Sequence, residues 1–122
     1  MTRPTLHDYM LELARVASTR GTCAKKQVGA VAVDDYGMIL AICYNGQPRG
    51  AKHCTIEDPC SALKDPYASC EAIHAEMNVL LRCDPDKIYR MYVTEKPCRK
   101  CMLLIQNTSC RSVITPDGEI VV

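Results

Sequence analysis

The chain is predicted to fold as an α/β domain, a mixed sheet flanked by helices, on three observations. Apolar residues recur at helical spacing in three segments, and short β-rich runs lie between those segments. At 122 residues the chain is long enough to bury one core and too short for two, so a single domain over residues 1–122 is expected. With 48% hydrophobic and 24% charged residues it belongs with ordered globular chains.

The elements follow in order. Thr5 to Thr19 places Leu6, Tyr9, Met10, Leu13, Val16 and Ala17 at helical spacing, and Gly21 supplies the stop. Gln27 to Val33 and Met38 to Tyr44 read as two strands, and Asp34, Asp35, Tyr36 and Gly37 between them have the turn chemistry of an antiparallel hairpin. Asn45 to Ser69 holds three Pro and two Gly with no sustained period, which predicts a long loop. A loop of that length in a compact domain is commonly functional or tied down by a ligand, and Cys54, Cys60 and Cys70 lie in or beside it. Cys70 to Arg82 reads as a second helix with Ile73, Met77, Leu80 and Leu81 on its apolar face. Met91 to Thr94 is a short strand, Pro97 opens a third helix over Arg99 to Gln106, and Ser112 to Thr115 is the last clear strand.

Lys and Arg total 15 against 14 Asp and Glu, a net charge of +1 that gives little of the footprint a polynucleotide partner needs. The longest apolar runs, such as Met102 to Ile105, fall far short of the roughly 18 to 20 residues of a spanning helix. Arg3, His7 and Asp8 interrupt the apolar stretch that a secretory leader requires. A cytoplasmic protein with no nucleic-acid or membrane partner is expected. Phe and Trp are absent, so any ring that stacks on a ligand must come from Tyr or His.

Nine cysteines form the anomaly of the composition. An odd count in a reducing compartment favours metal ligation over disulfides. Cys43, within the apolar run Ile39 to Tyr44, reads as a small hydrophobe of the core, as do Cys83 and Cys110. Chemistry concentrates in two segments, His74-Ala75-Glu76 at the second helix and Pro97-Cys98-Arg99-Lys100-Cys101 at the third. A side chain in a first helical turn leans toward the N-terminus, so His74 can reach a metal just beyond the helix end while Glu76 approaches from another side. Cys98 and Cys101 are neighbours on one helix face, where the positive helix end favours the thiolate that binds zinc.

One His and two Cys suit Zn²⁺ and leave the fourth tetrahedral position to water, which separates a catalytic from a closed structural site. Glu76 beside that water would move protons rather than bind the metal. His-x-Glu followed by Pro-Cys-x-x-Cys is the known pattern of zinc nucleobase deaminases, which remove an amine by hydrolysis. The competing reading makes Cys98 and Cys101 half of a closed zinc knuckle, with Glu76 solvated and the protein a zinc-stabilised interaction module.

With these motifs the sequence resembles the deoxycytidylate (dCMP) deaminase family, within the cytidine deaminase-like superfamily. The likeness also rests on Gly21-Thr22-Cys23, Gln27 to Val31, Tyr44-Asn45-Gly46-Gln47-Pro48, His53-Cys54, and Cys70 before His74. The resemblance implies a three-layer α/β/α sandwich with a mixed central sheet. It implies zinc on His74, Cys98 and Cys101, and Glu76 as proton shuttle for a zinc-bound hydroxide that attacks C4 of cytosine. Asn45 would hold the sugar, and Val28, Ala30 and Ala75 would wall the base, with a ring from His53 or Tyr44 orienting it.

The substrate implied is dCMP, giving dUMP for thymidylate synthesis. The alternatives are dCTP, free cytidine, or adenosine in tRNA, the last disfavoured by the near-neutral charge. The resemblance further implies a homo-oligomer, hexamer or dimer, switched by dCTP and dTTP at Tyr44, Asn45, Gly46 and Arg49, with Mg²⁺ accompanying a triphosphate. It also implies a second, structural zinc on Cys23, Cys54, Cys60 and Cys70, with His53 as a substitute ligand. Relatives continue beyond the strand at Ser112 to Thr115 and carry an aromatic residue at the substrate phosphate, where only Pro116 to Val122 follow here. The phosphate contact would then fall to Lys25, Lys26, Arg49, Lys52 or a neighbouring subunit; each of these cations is otherwise a solvated surface charge.

Overall fold

A computed structural model describes residues 2–55, 57 and 72–122. Its elements are α1 (Leu6–Ser18), β1 (Gly29–Val33), β2 (Ile39–Tyr44), α2 (Ala75–Arg82), a 3₁₀ turn (Pro85–Lys87), β3 (Arg90–Val93), α3 (Arg99–Gln106), β4 (Ser112–Thr115) and β5 (Gly118–Val121). The strands form one sheet in the order β2-β1-β3-β4-β5. Only the β3–β4 pair is parallel, and α3 supplies the crossover that a parallel pair requires.

The two-residue period of the strands sorts the core onto two faces. Val31, Val33, Tyr92 and Ile114 pack with Met10 and Ala14 of α1 on one side. Ala30, Ala32, Met91, Val93 and Val113 pack with Ala75 and Val79 of α2 and Ile105 of α3 on the other. Helix, sheet and helix pair make the three layers expected of an α/β/α sandwich with a mixed sheet. Cys110 is buried within the second cluster and Cys43 and Cys83 pack against it, and burial pushes all three thiols up, as suits small hydrophobes.

Several boundaries differ from the sequence-based expectation. The first helix matches closely, and Thr5 caps it by accepting from the Asp8 backbone N–H at 3.1 Å, a contact worth about 1 kcal/mol. Its buried stripe is narrower than the apolar pattern, because Gly29 of β1 meets the helix at Ala14 and leaves Leu6, Tyr9 and Val16 at the flanks, largely exposed.

The second helix starts at Ala75 rather than Cys70. Ile73 is drawn into an antiparallel bridge with Gly46, with paired backbone bonds of 3.1 and 2.7 Å, and His74 is the extended N-cap. Its buried face is accordingly Ala75, Glu76 and Val79, while Leu81 is exposed. The last strand of the expectation is followed by β5, a short and mostly exposed edge strand paired from Thr115 opposite Gly118 to Ser112 opposite Val121. Of the long loop, residues 56 and 58–71 lie outside the described residues, Cys60 and Cys70 among them. Among the described residues no helix is long and apolar enough to cross a membrane.

Candidate active site and metal centre

Strand direction gathers the functional residues at one end of the sheet. β1 runs antiparallel to both β2 and β3, so the residues before β1 and those after β2 and β3 lie together. Gly29 pairs with Tyr44, and Ala30 with Val93. The Lys26 to Val28 segment, Asn45 and the Thr94 to Cys98 connection therefore converge, and the N-termini of α2 and α3 point into the same space.

The two motifs meet there. His74 Nδ1 lies 3.2 Å from Cys101 Sγ and 3.6 Å from Cys98 Sγ, and the three ligand atoms all fall within 4.8 Å of one another. Tetrahedral zinc with bonds of about 2.0 Å to nitrogen and 2.3 Å to sulfur spaces its N and S ligands about 3.6 Å apart, close to the separations in the triad. The imidazole nitrogen that faces the two sulfurs is Nδ1. Cys98 is the N-cap of α3 and accepts from the Cys101 backbone N–H at 3.4 Å, which orients its sulfur toward the site.

Burial pushes the Cys101 thiol well up, and the neighbouring Glu76 and Cys98 push it further, so a metal bound there would have to displace the thiol proton. Cys101→Ser is expected to remove most of the bound zinc while the fold persists, measured by elemental analysis beside a circular dichroism spectrum.

Glu76 is buried, 4% exposed, with its carboxyl beside the Cys101 thiol. Burial raises its pKa, while its backbone hydrogen bond, His74, Cys101 and Lys26 pull partly back. A buried carboxyl at this place contradicts the solvated Glu76 of the interaction-module reading. Among the described residues no fourth His, Cys, Asp or Glu joins the triad.

A cavity of about 340 Å³ opens beside the triad, in the size range of small-ligand sites. Val28, Ala75, Asn45 and Lys26 line it with His74, Glu76 and Cys98. Asn45 clamps the wall: its Oδ1 accepts from the Val28 N–H and its Nδ2 donates to the Lys26 carbonyl, both at 2.8 Å. Each of those groups keeps one further hydrogen-bonding site for a ligand. Gly21 lies so close behind that a Cβ there would sit 2.6 Å from Asn45 Oδ1.

Ala30, expected beside the base, is instead a core residue under α2, one step too far along β1 to reach the cavity. Tyr44, Gly46, Arg49 and His53 line a different cavity of about 690 Å³, so neither ring faces the metal triad. The Gly46–Ile73 bridge is the partition, because neighbours on extended backbone point opposite ways. Asn45 and Ala72 face the first cavity, Gly46 and Ile73 the second. Arg20 stacks over the Tyr44 ring at 5.8 Å.

Cys23 and Cys54 are both buried, and the Cys54 N–H donates to the Thr22 carbonyl at 3.1 Å; Cys60 and Cys70 lie outside the described residues. Of the cations proposed for phosphate, Lys25 and Lys26 line the first cavity and Arg49 the second, while Lys52 is exposed. Glu95 and Lys96 also line the first cavity and were not anticipated; their position just before the Pro97-Cys98 segment is the signal that points to them.

A His and two Cys that could hold a metal ion, gathered at the starts of two helices beside a buried acid, are the arrangement expected of the zinc deaminase class. The family model described as the cytidine and deoxycytidylate deaminase zinc-binding region matches residues 4–116, and the chain belongs to that family. The deoxycytidylate deaminase of Mycobacterium phage D29 is 35% identical over 127 residues, covering 95% of this chain and 98% of its own. That of Schizosaccharomyces pombe is 31% identical over 121 residues, covering 92% of this chain but 37% of its own. Among solved structures, the dCMP deaminase of cyanophage S-TIM5 in complex with dCMP and dUMP shares the fold at a TM-score of 0.73 and 23% identity, over 94% of this chain and 83% of its own. The cytidine deaminase of Mycobacterium leprae shares it at 0.62 and 13%, over 97% and 94%.

Proposed function

We propose that the protein deaminates dCMP to dUMP by hydrolysis, and the observation that carries this is the buried Glu76 carboxyl set beside the three-ligand metal triad in a ligand-sized cavity. Zinc on His74, Cys98 and Cys101 would supply a water that ionises near neutral pH. Glu76 would take the proton that water gives up and deliver it to N3 of cytosine as C4 becomes tetrahedral, then take the proton of the new C4 hydroxyl and pass it to the departing amine as the C4 carbonyl forms. Its burial raises the carboxyl pKa, the direction that makes it a better proton carrier near neutral pH. Val28 and Ala75 bracket the base, Asn45 holds the wall and offers its remaining hydrogen bonds to the sugar, and Lys26 faces the 5′-phosphate. The phage D29 relative, matched over nearly its whole length, supports dCMP as substrate.

Regulation by dCTP and dTTP is proposed for the second cavity, where Tyr44, Gly46 and Arg49 lie with the stacked Arg20 nearby; Mg²⁺ would accompany the triphosphate. The paired burial of Cys23 and Cys54 supports a second zinc completed by Cys60 and Cys70, and a homo-oligomer belongs to the same reading. The deciding experiment follows ammonia release from cytidine, deoxycytidine, dCMP and dCTP, with and without dTTP. Release is expected to be fastest from dCMP and to fall with dTTP. Silence from every cytosine substrate in zinc-loaded protein would remove the deaminase reading, and a dTTP-insensitive rate would remove the regulatory part.

A further inference from the structure

The Lys26 ammonium and the Glu95 carboxylate form an ion pair at the mouth of the catalytic cavity, both side chains lining it and both partly exposed, at 59% and 43%. They come from opposite sides. Lys26 belongs to the segment that Asn45 clamps, and Glu95 to the connection between β3 and α3. Lys25 and Lys96 line the same cavity, so among the described residues Glu95 is the one carboxylate beside three lysines at a rim whose only other acid is the buried Glu76. That arrangement presents an anion-attracting mouth whose ion-paired lysine is already held by an acid of the protein.

We propose that Glu95 is the specificity-determining residue for the charge of the substrate's phosphate, an inference that rests on the dCMP reading of this cavity. In the ligand-free protein Glu95 holds Lys26. A 5′-phosphate, carrying more charge and more acceptor oxygens than a carboxylate, takes the ammonium from it. Glu95 is then left next to the bound anion, and its repulsion grows with each further phosphate, which favours the monophosphate over the triphosphate. Because the ion pair is exposed and screened, breaking it is a small obstacle to entry, and the exchange stays sensitive to salt.

The test compares kcat/KM for deoxycytidine, dCMP and dCTP, with the Kd for dUMP from calorimetry on zinc-loaded protein. In Glu95→Gln the dCMP to deoxycytidine preference should rise about threefold and dUMP should bind correspondingly tighter, the scale of one exposed ion pair. The dCTP to dCMP ratio should rise as well. Lys26→Met should cut the dCMP preference about tenfold, and Glu95→Gln added to it should raise that preference by clearly less than Glu95→Gln does alone, because only the direct repulsion is then left to relieve. A Glu95→Gln protein with unchanged ratios and unchanged dUMP affinity would overturn the proposal. So would an effect of equal size in the Lys26→Met background. Absence of all cytosine deamination would remove the deaminase reading instead, and dUMP affinity would still decide the role of Glu95.

Discussion

Glu76→Gln is expected to lower kcat by about a thousandfold, with zinc content unchanged, and at the same time to raise the melting temperature of the chelator-treated protein. The first effect follows from the role of the side chain. Gln is nearly isosteric and can still hydrogen-bond, but it cannot take a proton from water and hand it to N3 or to the leaving amine. The second follows from where the carboxyl sits. It is buried on α2 beside a thiol, and burial holds its pKa above the ordinary value.

A folded state that binds the proton more tightly than the unfolded chain loses stability as pH rises from the ordinary carboxyl pKa through the raised one. The variant has no such slope at this position. Its advantage in melting temperature should therefore be absent in acid and grow toward neutral pH, which a scanning calorimetry series reads directly. A variant that deaminates normally would exclude Glu76 as the proton carrier. One that melts no higher than the parent at any pH would exclude the account of its burial. Stability given up for chemistry at one residue is a common feature of active sites.

Gly29→Ala is expected to be the most damaging substitution outside the site, lowering stability by about 3 kcal/mol or more and preventing folding at growth temperature if the parent is marginal. A Cβ at Gly29 would lie 1.9 Å from the Ala14 carbonyl oxygen and 2.7 Å from the Ser18 backbone nitrogen. Those atoms belong to the backbone of α1 and cannot rotate away, so the helix must lift from the sheet. Lifting it uncovers Met10, Ala14, Val31 and Val33, all buried beneath it. The loss should also reach the active site, because Gly29 donates to Thr94 Oγ1 and accepts from its N–H, both at 3.1 Å, anchoring the connection that leads to Cys98. Urea denaturation of Gly29→Ala, with Gly50→Ala as an exposed control whose Cβ meets nothing within 4 Å, measures the difference. Equal midpoints for the two would refute the close approach; the positive φ at Gly50, 84°, makes that control a demanding one.

Much of the fold was legible because its signals are local. The spacing in α1, the turn residues between β1 and β2, and Pro97 ahead of α3 each act within a few positions, and those elements form where expected. The start of α2 was not legible. Ile73 has helix-compatible neighbours, but its backbone is claimed by Gly46, twenty-seven positions earlier, and no local pattern carries that pairing. β5 escaped notice because an exposed edge strand needs only one or two inward residues, here Ile120 with Val122 beyond it, too few to establish a period.

The sequence by itself pointed to the His and two Cys that the fold brings together and to the acid beside them. A His and two Cys placed at helix starts, with Glu two residues past the His, converge through helix geometry alone once the helices share an end. What the tertiary structure decided is the use made of everything around them. It turned Asn45 onto the backbone of Lys26 and Val28, put Tyr44 and His53 behind a partition in another cavity, sank Ala30 into the core and set Glu95 against Lys26. Each of those outcomes depends on strand register and on residues far apart in the chain, and a one-residue change of register on a pleated strand would turn every one of them to the opposite face.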